Sequence, residues 1–337
     1  MTEPLKIGLI GTGRIGQVHA ASVAALPETT LTWVCDPFVE QATATAARYG
    51  VTNVTADAAE VLAAPDVDAI IMASPTPTHV DLLSTAIDAG VPALCEKPID
   101  LDIARVDALR GKAAGSTTPI ALGFNRRFDP DFAEVRRRVA AGEIGRLEQL
   151  SITSRDPEPP PIGYVAVSGG IFRDMTIHDF DMARFFVPDI VEVTARGAHQ
   201  FDAGIRDAGD YDAAVVTLRG AGGELITITN SRHSVYGYDQ RLEAFGAQGL
   251  LQVSNVSPTT VRAFGPNGVE GRAGYHTFFL ERYAEAYRAE LAAFVRTIRD
   301  ATHESPGFED GRAALVLADA AVRSAAEGIT VPVDLHA

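Results

Sequence analysis

Cysteine, basic residues and long apolar runs are scarce in this sequence, and each scarcity excludes a class of protein. The chain of 337 residues contains two cysteines and no Cys/His cluster at zinc spacing, so we expect neither a disulfide framework nor a bound metal. Its 44 acidic and 29 basic residues give a net charge of −15, which argues against nucleic acid or an anionic membrane as a partner. No apolar run is long enough to span a bilayer and no signal-peptide pattern opens the chain, so we expect a cytoplasmic protein.

A glycine-rich turn follows the first apolar run. LKIGLIG (5–11) is typical of a buried strand, GTGRIG (11–16) follows it, and alanine-rich helical sequence comes next. This is the strand–turn–helix setting of the GxGxxG fingerprint of dinucleotide-binding folds. In that fingerprint Gly11 makes the tight turn, Gly13 lets the backbone approach a pyrophosphate and Gly16 allows close packing of helix against strand.

The acidic residue that ends the next strand indicates which dinucleotide is bound. TLTWVCD (30–36) ends in Asp36, at the distance from the glycines where a carboxylate accepts hydrogen bonds from an adenosine ribose. Such a carboxylate repels a 2′-phosphate, so we expect NAD rather than NADP. The alternative is a solvent-exposed aspartate at a strand end. The residues of the turn and of the first helical turn that we expect beside the phosphates are Gly11, Thr12, Gly13, Arg14 and Ile15.

Strands and helices continue to alternate up to about residue 124. DAIIMAS (68–74), VPALC (91–95) and PIALGF (119–124) are apolar runs separated by helical stretches, which predicts a parallel, doubly wound Rossmann sheet in residues 1–124. Ligands of such sheets bind beyond the carboxyl ends of the strands. The residues at those ends that we expect to contact the cofactor are Asp36, Ser74, Pro75, Thr76, His79, Glu96 and Lys97. His19, in the first helix, is expected to pack or to face solvent.

The pattern changes in residues 125–337, where β-like runs follow one another without intervening helices. This predicts an α+β domain with a mostly antiparallel open sheet, which would bind substrate and form oligomers. Helices are expected near 278–301 and 308–327, and the last of them would be able to pack back on the first domain. The predicted strands are 147–155, 191–198, 213–220, 224–233, 240–246 and 250–255.

RDMTIHDFD contains an aspartate and a histidine four residues apart. On the helix predicted over 169–186, this spacing puts Asp174 and His178 on one face. A carboxylate on one imidazole nitrogen fixes the tautomer and raises the basicity of the other nitrogen, as the oxidation of an alcohol requires of its base. A structural helix pair or a cap is the alternative interpretation.

Several motifs together resemble one family. GTGRIG, SPTPTH, EKP, GFNRRFDP, SRDPEPPP, GGIFRDMTIHDFDMARF and YGYDQRLEAFG look like the glucose–fructose oxidoreductase, inositol dehydrogenase and rhizopine-catabolism (Gfo/Idh/MocA) family over essentially the whole chain. The GxGxxG motif is generic to dinucleotide folds, whereas the last three resemble the inositol dehydrogenase branch.

The resemblance implies a catalytic group. Lys97 would reach the reacting hydroxyl and stabilise developing negative charge, and its peptide bond to Pro98 would be cis. His178 would accept the hydroxyl proton with Asp174 as its partner. No bound metal is implied.

The resemblance also implies residues that bind substrate. Arg127 and Asp156 would hydrogen-bond ring hydroxyls, and Tyr236 and Tyr238, two apart on a predicted strand, would share one face and line the pocket.

The activity implied is NAD-dependent oxidation of a cyclic polyol, foremost myo-inositol to 2-keto-myo-inositol. The alternatives left open are scyllo-inositol, glucose or another pyranose as substrate, and a non-catalytic role as an NAD-binding redox sensor. A homo-oligomer, a dimer or a tetramer, is implied through the exposed face of the second sheet.

Overall fold

The chain divides into two compact units, called unit 1 and unit 2 below. The computed structural model describes residues 3–266 and 268–337. Unit 1 comprises residues 1–128 and 284–315, and unit 2 comprises residues 129–283 and 316–337. Residues 284–315, which we assigned to the second domain from the sequence, thus cluster with the Rossmann part. The functions assigned to domains 1–124 and 125–337 stay predictions.

The first part of the chain alternates strands and helices. Its elements are β1 (Leu5–Ile10), α1 (Arg14–Ala25), β2 (Thr29–Cys35), α2 (Val39–Tyr49), β3 (Asn53–Thr55), α3 (Ala58–Ala63), β4 (Ala69–Met72), α4 (His79–Ala89), β5 (Ala93–Cys95), α5 (Ile103–Ala114) and β6 (Ile120–Leu122). Short 3₁₀ helices lie at Thr76–Thr78 and Asn125–Phe128.

The remaining chain is richer in consecutive strands. Its elements are α6 (Pro130–Ala140), β7 (Leu147–Arg155), α7 (Ile162–Val165), α8 (Gly170–Asp174), α9 (Thr176–Phe186), β8 (Ile190–Ala198), α10 (Ala203–Asp207), β9 (Ala213–Gly220), β10 (Leu225–Ser231), β11 (Asp239–Gly246), β12 (Gly249–Val253), β13 (Arg262–Gly265), β14 (Gly268–Arg272), α11 (Phe279–Arg282), α12 (Ala284–Asp300), α13 (Phe308–Glu327) and β15 (Val331–Pro332).

The sheet of unit 1 has six parallel strands in the order β3-β2-β1-β4-β5-β6. This is the strand order of a dinucleotide-binding fold, so the predicted Rossmann sheet is confirmed. Ile7, Leu9 and Ile71 are fully buried, as continuous apolar strands covered on both faces must be. Leu291 and Phe294 of α12 pack into the same core, which explains why this C-terminal helix belongs to unit 1.

Short polar and glycine signals fix where the helices of unit 1 begin and end. Asp57 and Asp102 cap α3 and α5, because each carboxylate accepts a hydrogen bond from an N–H group in the first helical turn. Gly50 and Gly90 end α2 and α4 in the left-handed conformation. The aspartates thus begin the helices that follow β3 and β5, and the glycines end the helices that precede these strands.

The sheet of unit 2 has seven strands in the order β12-β11-β7-β10-β9-β8-β15. Its pairs are antiparallel except β7 and β10, which run parallel. The predicted, mostly antiparallel sheet is confirmed.

One face of this second sheet is buried, and the other is exposed to solvent in the single chain. Along β9, Val216 is 0% exposed and its neighbour Val215 is 51% exposed. On β10, Ile226 is buried and Leu225 is exposed. The alternation follows from the period of a strand, and α9, which packs on β7 and β10, covers the buried face.

Two predicted helices are each interrupted by one residue. The helix expected over 169–186 ends at Asp174 and begins again at Thr176, because the N–H of Met175 binds the Ile171 carbonyl while the N–H of His178 binds the Met175 carbonyl. The spacing thus tightens from four residues to three at that point. The helix expected near 278–301 is divided between α11 and α12.

β13 and β14 form a separate, exposed hairpin. In the part of the chain that the structure describes, no helix is long and apolar enough to cross a membrane.

Candidate functional site

The glycine-rich turn of unit 1 is packed at its first and third glycines and open at the second. Gly11 has φ +94°, and a Cβ there would lie 2.5 Å from the Ala73 carbonyl oxygen. A Cβ on Gly16 would lie 2.1 Å from the Gly11 oxygen, whereas one on Gly13 would meet no atom within 4 Å. The turn therefore fits a group, such as a pyrophosphate, that approaches the backbone at Gly13.

The N-terminus of α1 is suited to an anion. Gly13 is its N-cap residue, no described side chain caps this end, and the first turn, which begins with Arg14 and Ile15, contains no acidic residue. First-turn N–H groups and the positive end of the helix dipole favour a phosphate there. The contacts of Arg14 and Ile15 with a cofactor stay predictions that this geometry fits.

Asp36 lies against the glycine-rich turn and is buried. Its Oδ2 accepts hydrogen bonds from the N–H and the hydroxyl of Thr12, both at 2.8 Å, and its Oδ1 accepts one from the N–H of Phe38 at 2.9 Å. Thr12 thus holds the carboxylate, and the carboxylate holds the turn. A role of Asp36 at the ribose, and of Thr12 at the phosphates, stays a prediction.

His79 joins the segments that follow β4 and β5. Its Nδ1 lies 2.8 Å from the carbonyl oxygen of Pro98, and its Nε2 lies 2.8 Å from that of Ser74. The ring is buried, so it fixes the positions of both strand ends. The Ser74 hydroxyl bonds the Thr78 hydroxyl at 2.7 Å.

The four residues predicted to touch the cofactor after β4, which are Ser74, Pro75, Thr76 and His79, are therefore brought to one turn. Their contacts with a cofactor stay predictions.

A buried histidine of the first helix holds the EKP segment. His19 of α1 is 0% exposed, so it packs, which is the first of the two expected alternatives, and its Nε2 also lies 2.8 Å from Glu96 Oε1. Tyr287 packs edge-on against the imidazole. The peptide bond between Lys97 and Pro98 is cis, as expected. The role of Lys97 at a substrate stays a prediction.

Arg127 is ion-paired within unit 1. Its guanidinium lies 2.9 Å from Asp310, at the start of α13. The ion pair thereby holds the guanidinium of Arg127 in place, and its contact with a substrate hydroxyl stays a prediction.

Asp174 and His178 lie on consecutive helices of unit 2, with Met175 between them. Met175 keeps right-handed helical dihedral angles, so the chain turns almost as a continuous helix would. Tyr164 donates a hydrogen bond to Asp174 at 2.8 Å, and Arg232 lies 3.4 Å away. The pairing of Asp174 with His178 stays a prediction.

Asp179 anchors the helix that carries His178. Its carboxylate accepts hydrogen bonds from Ser154 on β7 at 2.6 Å and from Asn230 on β10 at 2.7 Å, and it is 0% exposed. Thr176 donates a further hydrogen bond to Asn230 at 2.7 Å. The first turn of α9, with His178 in it, is therefore fixed to the sheet.

Tyr236 and Tyr238 do not share a face, so that prediction was wrong. They precede β11 and lie in a turn, where Gly237 adopts φ +113° and interrupts the strand pattern. Tyr236 is 43% exposed and donates a hydrogen bond to Asp239, whereas Tyr238 is buried and packs edge-on against Tyr283. Their roles at a substrate stay predictions.

Asp156 follows the end of β7. Its N–H donates a hydrogen bond to the carbonyl of Ser231 at 2.9 Å, which extends the parallel pairing of β7 with β10. Its role at a substrate stays a prediction.

Tyr164, Arg232 and Asp179 are polar residues beside the candidate site that sequence reasoning missed. Asp179 stands next to His178 in the sequence, where the four-residue spacing assigns it no role, and Arg232 carries only the weak signal of a charge at the end of a predicted strand. Among residues 3–266 and 268–337, no group of three His, Cys, Asp or Glu side chains is arranged to hold a metal ion.

Comparison with known proteins identifies the family. Residues 5–123 match the oxidoreductase family with an NAD-binding Rossmann fold, and residues 132–252 match the GFO/IDH/MocA C-terminal domain. The chain belongs to the Gfo/Idh/MocA family. It is therefore an oxidoreductase with NAD as its cofactor. The position of the pyrophosphate at the turn open at Gly13 stays a prediction that the geometry fits.

Relatives of this Gfo/Idh/MocA protein are similar over its full length. It is 47% identical to an inositol 2-dehydrogenase of Rhizobium meliloti (strain 1021) over 324 residues, which are 96% of this chain and 97% of the relative. A solved myo-inositol dehydrogenase from Corynebacterium glutamicum ATCC 13032 has a TM-score of 0.95 at 56% identity and covers 98% of this chain and 99% of its own. A scyllo-inositol dehydrogenase from Lactobacillus casei, solved with NAD(H) and scyllo-inositol, has a TM-score of 0.90 at 26% identity, with coverage of 98% and 99%.

Proposed function

We propose that this protein is an NAD-dependent inositol 2-dehydrogenase that oxidises myo-inositol to 2-keto-myo-inositol. The observation that carries the proposal is the full-length similarity to inositol 2-dehydrogenases, at up to 56% identity among the structures above. The chain also keeps Lys97, Asp174 and His178, the groups that oxidation of an alcohol needs. A redox sensor would need none of these three side chains.

In the proposed reaction, His178 accepts the proton of the C2 hydroxyl. Asp174 supports the imidazolium that forms, since a carboxylate beside an imidazole stabilises its protonated form. Lys97 donates a hydrogen bond to the same hydroxyl oxygen and stabilises the negative charge that develops there. NAD, when bound, supplies the acceptor for the hydride.

Arg127, Asp156, Tyr236 and Tyr238 are proposed to bind the remaining ring hydroxyls. Charged side chains form strong hydrogen bonds with hydroxyls, and such bonds tell epimers apart, because a missing partner leaves a polar group unsatisfied. Tyr238 is buried and can contribute chiefly by packing, whereas Arg127 and Asp156 offer charge.

We also propose that the protein acts in inositol catabolism in the cytoplasm as a homotetramer. Both cysteines are buried and unlinked, which suits a reducing compartment. The exposed face of the second sheet carries Val215, Leu225 and Phe245, and apolar side chains in such a position favour association with another copy. Light scattering after size-exclusion chromatography tests the tetramer.

The test of the function is a panel of steady-state rates. Myo-inositol, scyllo-inositol, glucose and another pyranose are each assayed with NAD and with NADP, and we expect the highest kcat/KM for myo-inositol with NAD. Lys97→Met and His178→Gln should each lower kcat by about 10²-fold or more, while the Kd for NAD changes little. Absence of turnover with every cyclitol would contradict the proposal, as would a wild-type rate in either variant.

A further inference from the structure

A buried arginine of unit 2 lies against two carboxylates, one of them that of Asp174. The side chain of Arg232 is 1% exposed. Its Nη1 lies 3.4 Å from Asp174 Oδ2 and its Nη2 lies 3.0 Å from Asp210 Oδ2. We propose that Arg232 is a positioning residue that holds the carboxylate of Asp174 in the orientation in which it supports His178. The role assigned to Asp174 rests on the proposed function.

The guanidinium is itself anchored at several points. The N–H of Arg232 donates a hydrogen bond to the carbonyl of Asp212 at 2.8 Å, which fixes its backbone. The other oxygen of Asp210, Oδ1, accepts a hydrogen bond at 2.8 Å from the N–H of Ile171, in the first turn of α8. A Cβ on Gly170 would lie 2.9 Å from that oxygen, so the close approach requires a glycine. Both ends of α8 are thus held by one cluster.

The second oxygen of Asp174 also has a partner. The hydroxyl of Tyr164 donates a hydrogen bond to Oδ1 at 2.8 Å, while Oδ2 faces Arg232. Rotation of the carboxylate would break at least one of these contacts. The side chain is therefore held in a single orientation, as a residue that orients a catalytic base must be.

The charges of the cluster also suit this role. One guanidinium lies between two carboxylates, which leaves one net negative charge on the group formed by Arg232, Asp174 and Asp210. A fixed negative charge close to an imidazole favours its protonated form. Because burying a guanidinium without carboxylates is costly, the two aspartates and the arginine depend on one another.

The test variant removes one cation and one anion together. Arg232→Gln combined with Asp210→Asn keeps the net charge of the group at −1, that of Asp174 alone. We expect the kcat of this variant to fall at least 10-fold while the Kd for NAD stays within 2-fold of wild type. Arg282→Gln combined with Asp129→Asn is the matched control, because this buried pair of the same unit caps α6 rather than α8. We expect a similar loss of Tm in the control but a kcat within 3-fold of wild type.

Two outcomes with the double variants would overturn the proposal. A kcat within 2-fold of wild type in the test variant would show that Arg232 only supports the fold, and an equal loss of kcat in the control would show the same. Should the double variant not fold, Arg232→Lys keeps the buried charge but loses the planar fork. We expect it to lower kcat at least 5-fold, and a wild-type kcat would equally overturn the proposal.

A measurement that does not use turnover separates this proposal from the function. In a crystal structure of the test variant, the Asp174 carboxylate should leave its place and lose its hydrogen bond to Tyr164. If Asp174 keeps that position, the positioning role is wrong even for an active enzyme. If wild type oxidises no cyclitol but Asp174 moves, the proposed function fails and the positioning role stands.

Discussion

The imidazole of His19 and the carboxylate of Glu96 are hydrogen-bonded inside unit 1, with Nε2 2.8 Å from Oε1. Because a carboxylate only accepts hydrogen bonds, Nε2 is the nitrogen that donates. The Nδ1 of His19 is buried and has no hydrogen-bond partner among the described residues. The contact ties the helix that follows the glycine-rich turn to the residue before Lys97. It links the expected phosphate site to the expected catalytic lysine through one buried pair.

We expect His19→Leu to destabilise unit 1 because it leaves the buried Glu96 without its partner. The free energy of unfolding should fall by about 2–3 kcal/mol, measured by chemical denaturation. His19→Gln is the matched variant, because its amide can still donate to the carboxylate, and its loss should be less than half as large. Equal losses in the two variants would show that packing against Tyr287 matters more than the hydrogen bond.

Alanine at Gly13 and at Gly16 should have opposite consequences. Gly13 has φ −63° and open space around its Cβ position, so Gly13→Ala should leave the Tm unchanged and raise the Kd for NAD at least 10-fold. Gly16→Ala places a methyl group against the Gly11 carbonyl, so it should lower the free energy of unfolding by about 2–3 kcal/mol. Calorimetry gives both the Tm and the Kd. Unchanged NAD binding in Gly13→Ala would place the pyrophosphate elsewhere.

Asp36→Ala should relax the preference for NAD and also weaken NAD binding, because Asp36 holds Thr12 as well as the expected ribose. Asp36→Asn separates the two effects, since its amide oxygen can still accept from Thr12 but carries no charge to repel a 2′-phosphate. We expect the ratio of kcat/KM for NAD to that for NADP to fall at least 10-fold in both variants. An unchanged ratio would show that Asp36 does not discriminate between the free 2′-hydroxyl of NAD and the 2′-phosphate of NADP.

Acid should destabilise unit 2 partly through Asp212. Burial alone would raise the pKa of this carboxyl, but hydrogen bonds from the N–H groups of Phe201, Asp202 and Gln200 outweigh burial and lower the pKa below its ordinary value of 3.8. Because the folded-state pKa is lowered, the ionised carboxyl stabilises the fold fully above the ordinary pKa of 3.8. This stabilisation is lost as the pH falls through the folded-state pKa.

The corresponding variant is Asp212→Asn. It should lower the free energy of unfolding by about 1–2 kcal/mol at pH 7, and the difference from wild type should shrink below pH 4. Asp207→Asn, an exposed aspartate of the same unit, is the control and should change stability little at either pH. A difference that is independent of pH would rule out the charge of Asp212 as its source.

The two thiols should be unreactive in the folded protein. Burial raises the pKa of Cys35 to about 12, with the neighbouring charges of Asp36, Asp57 and Glu60 adding to the effect. Burial and then Glu96 raise the pKa of Cys95 well above its ordinary value. Since only the thiolate reacts, iodoacetamide at pH 8 should label neither residue in native protein and both in guanidinium. Rapid labelling of either native thiol would contradict the burial described above.

The local sequence was sufficient to predict the structure wherever neighbouring residues alone determine the backbone conformation. The strand and turn around Gly11 and Gly13 were predicted because steric limits on the backbone act over a few positions. Tyr236 was placed wrongly on a strand because the sequence does not show the backbone angle of Gly237. This glycine has φ +113°, but a glycine in a β-rich segment is also compatible with a strand. Met175 interrupts the predicted helix without any helix-breaking residue type, so its effect was not visible either.

The sequence by itself determined the class of both sheets, the NAD fingerprint and the residue types available for oxidation chemistry, because these depend on periodicity and on short motifs. The tertiary structure decided which polar groups meet: His19 with Glu96, Asp179 with the strands β7 and β10, and Arg232 with Asp174. Such pairs join residues that are 25 to 77 positions apart in the chain. Each pair forms only when packing removes both groups from water. A local sequence pattern does not show which distant residues will pack together.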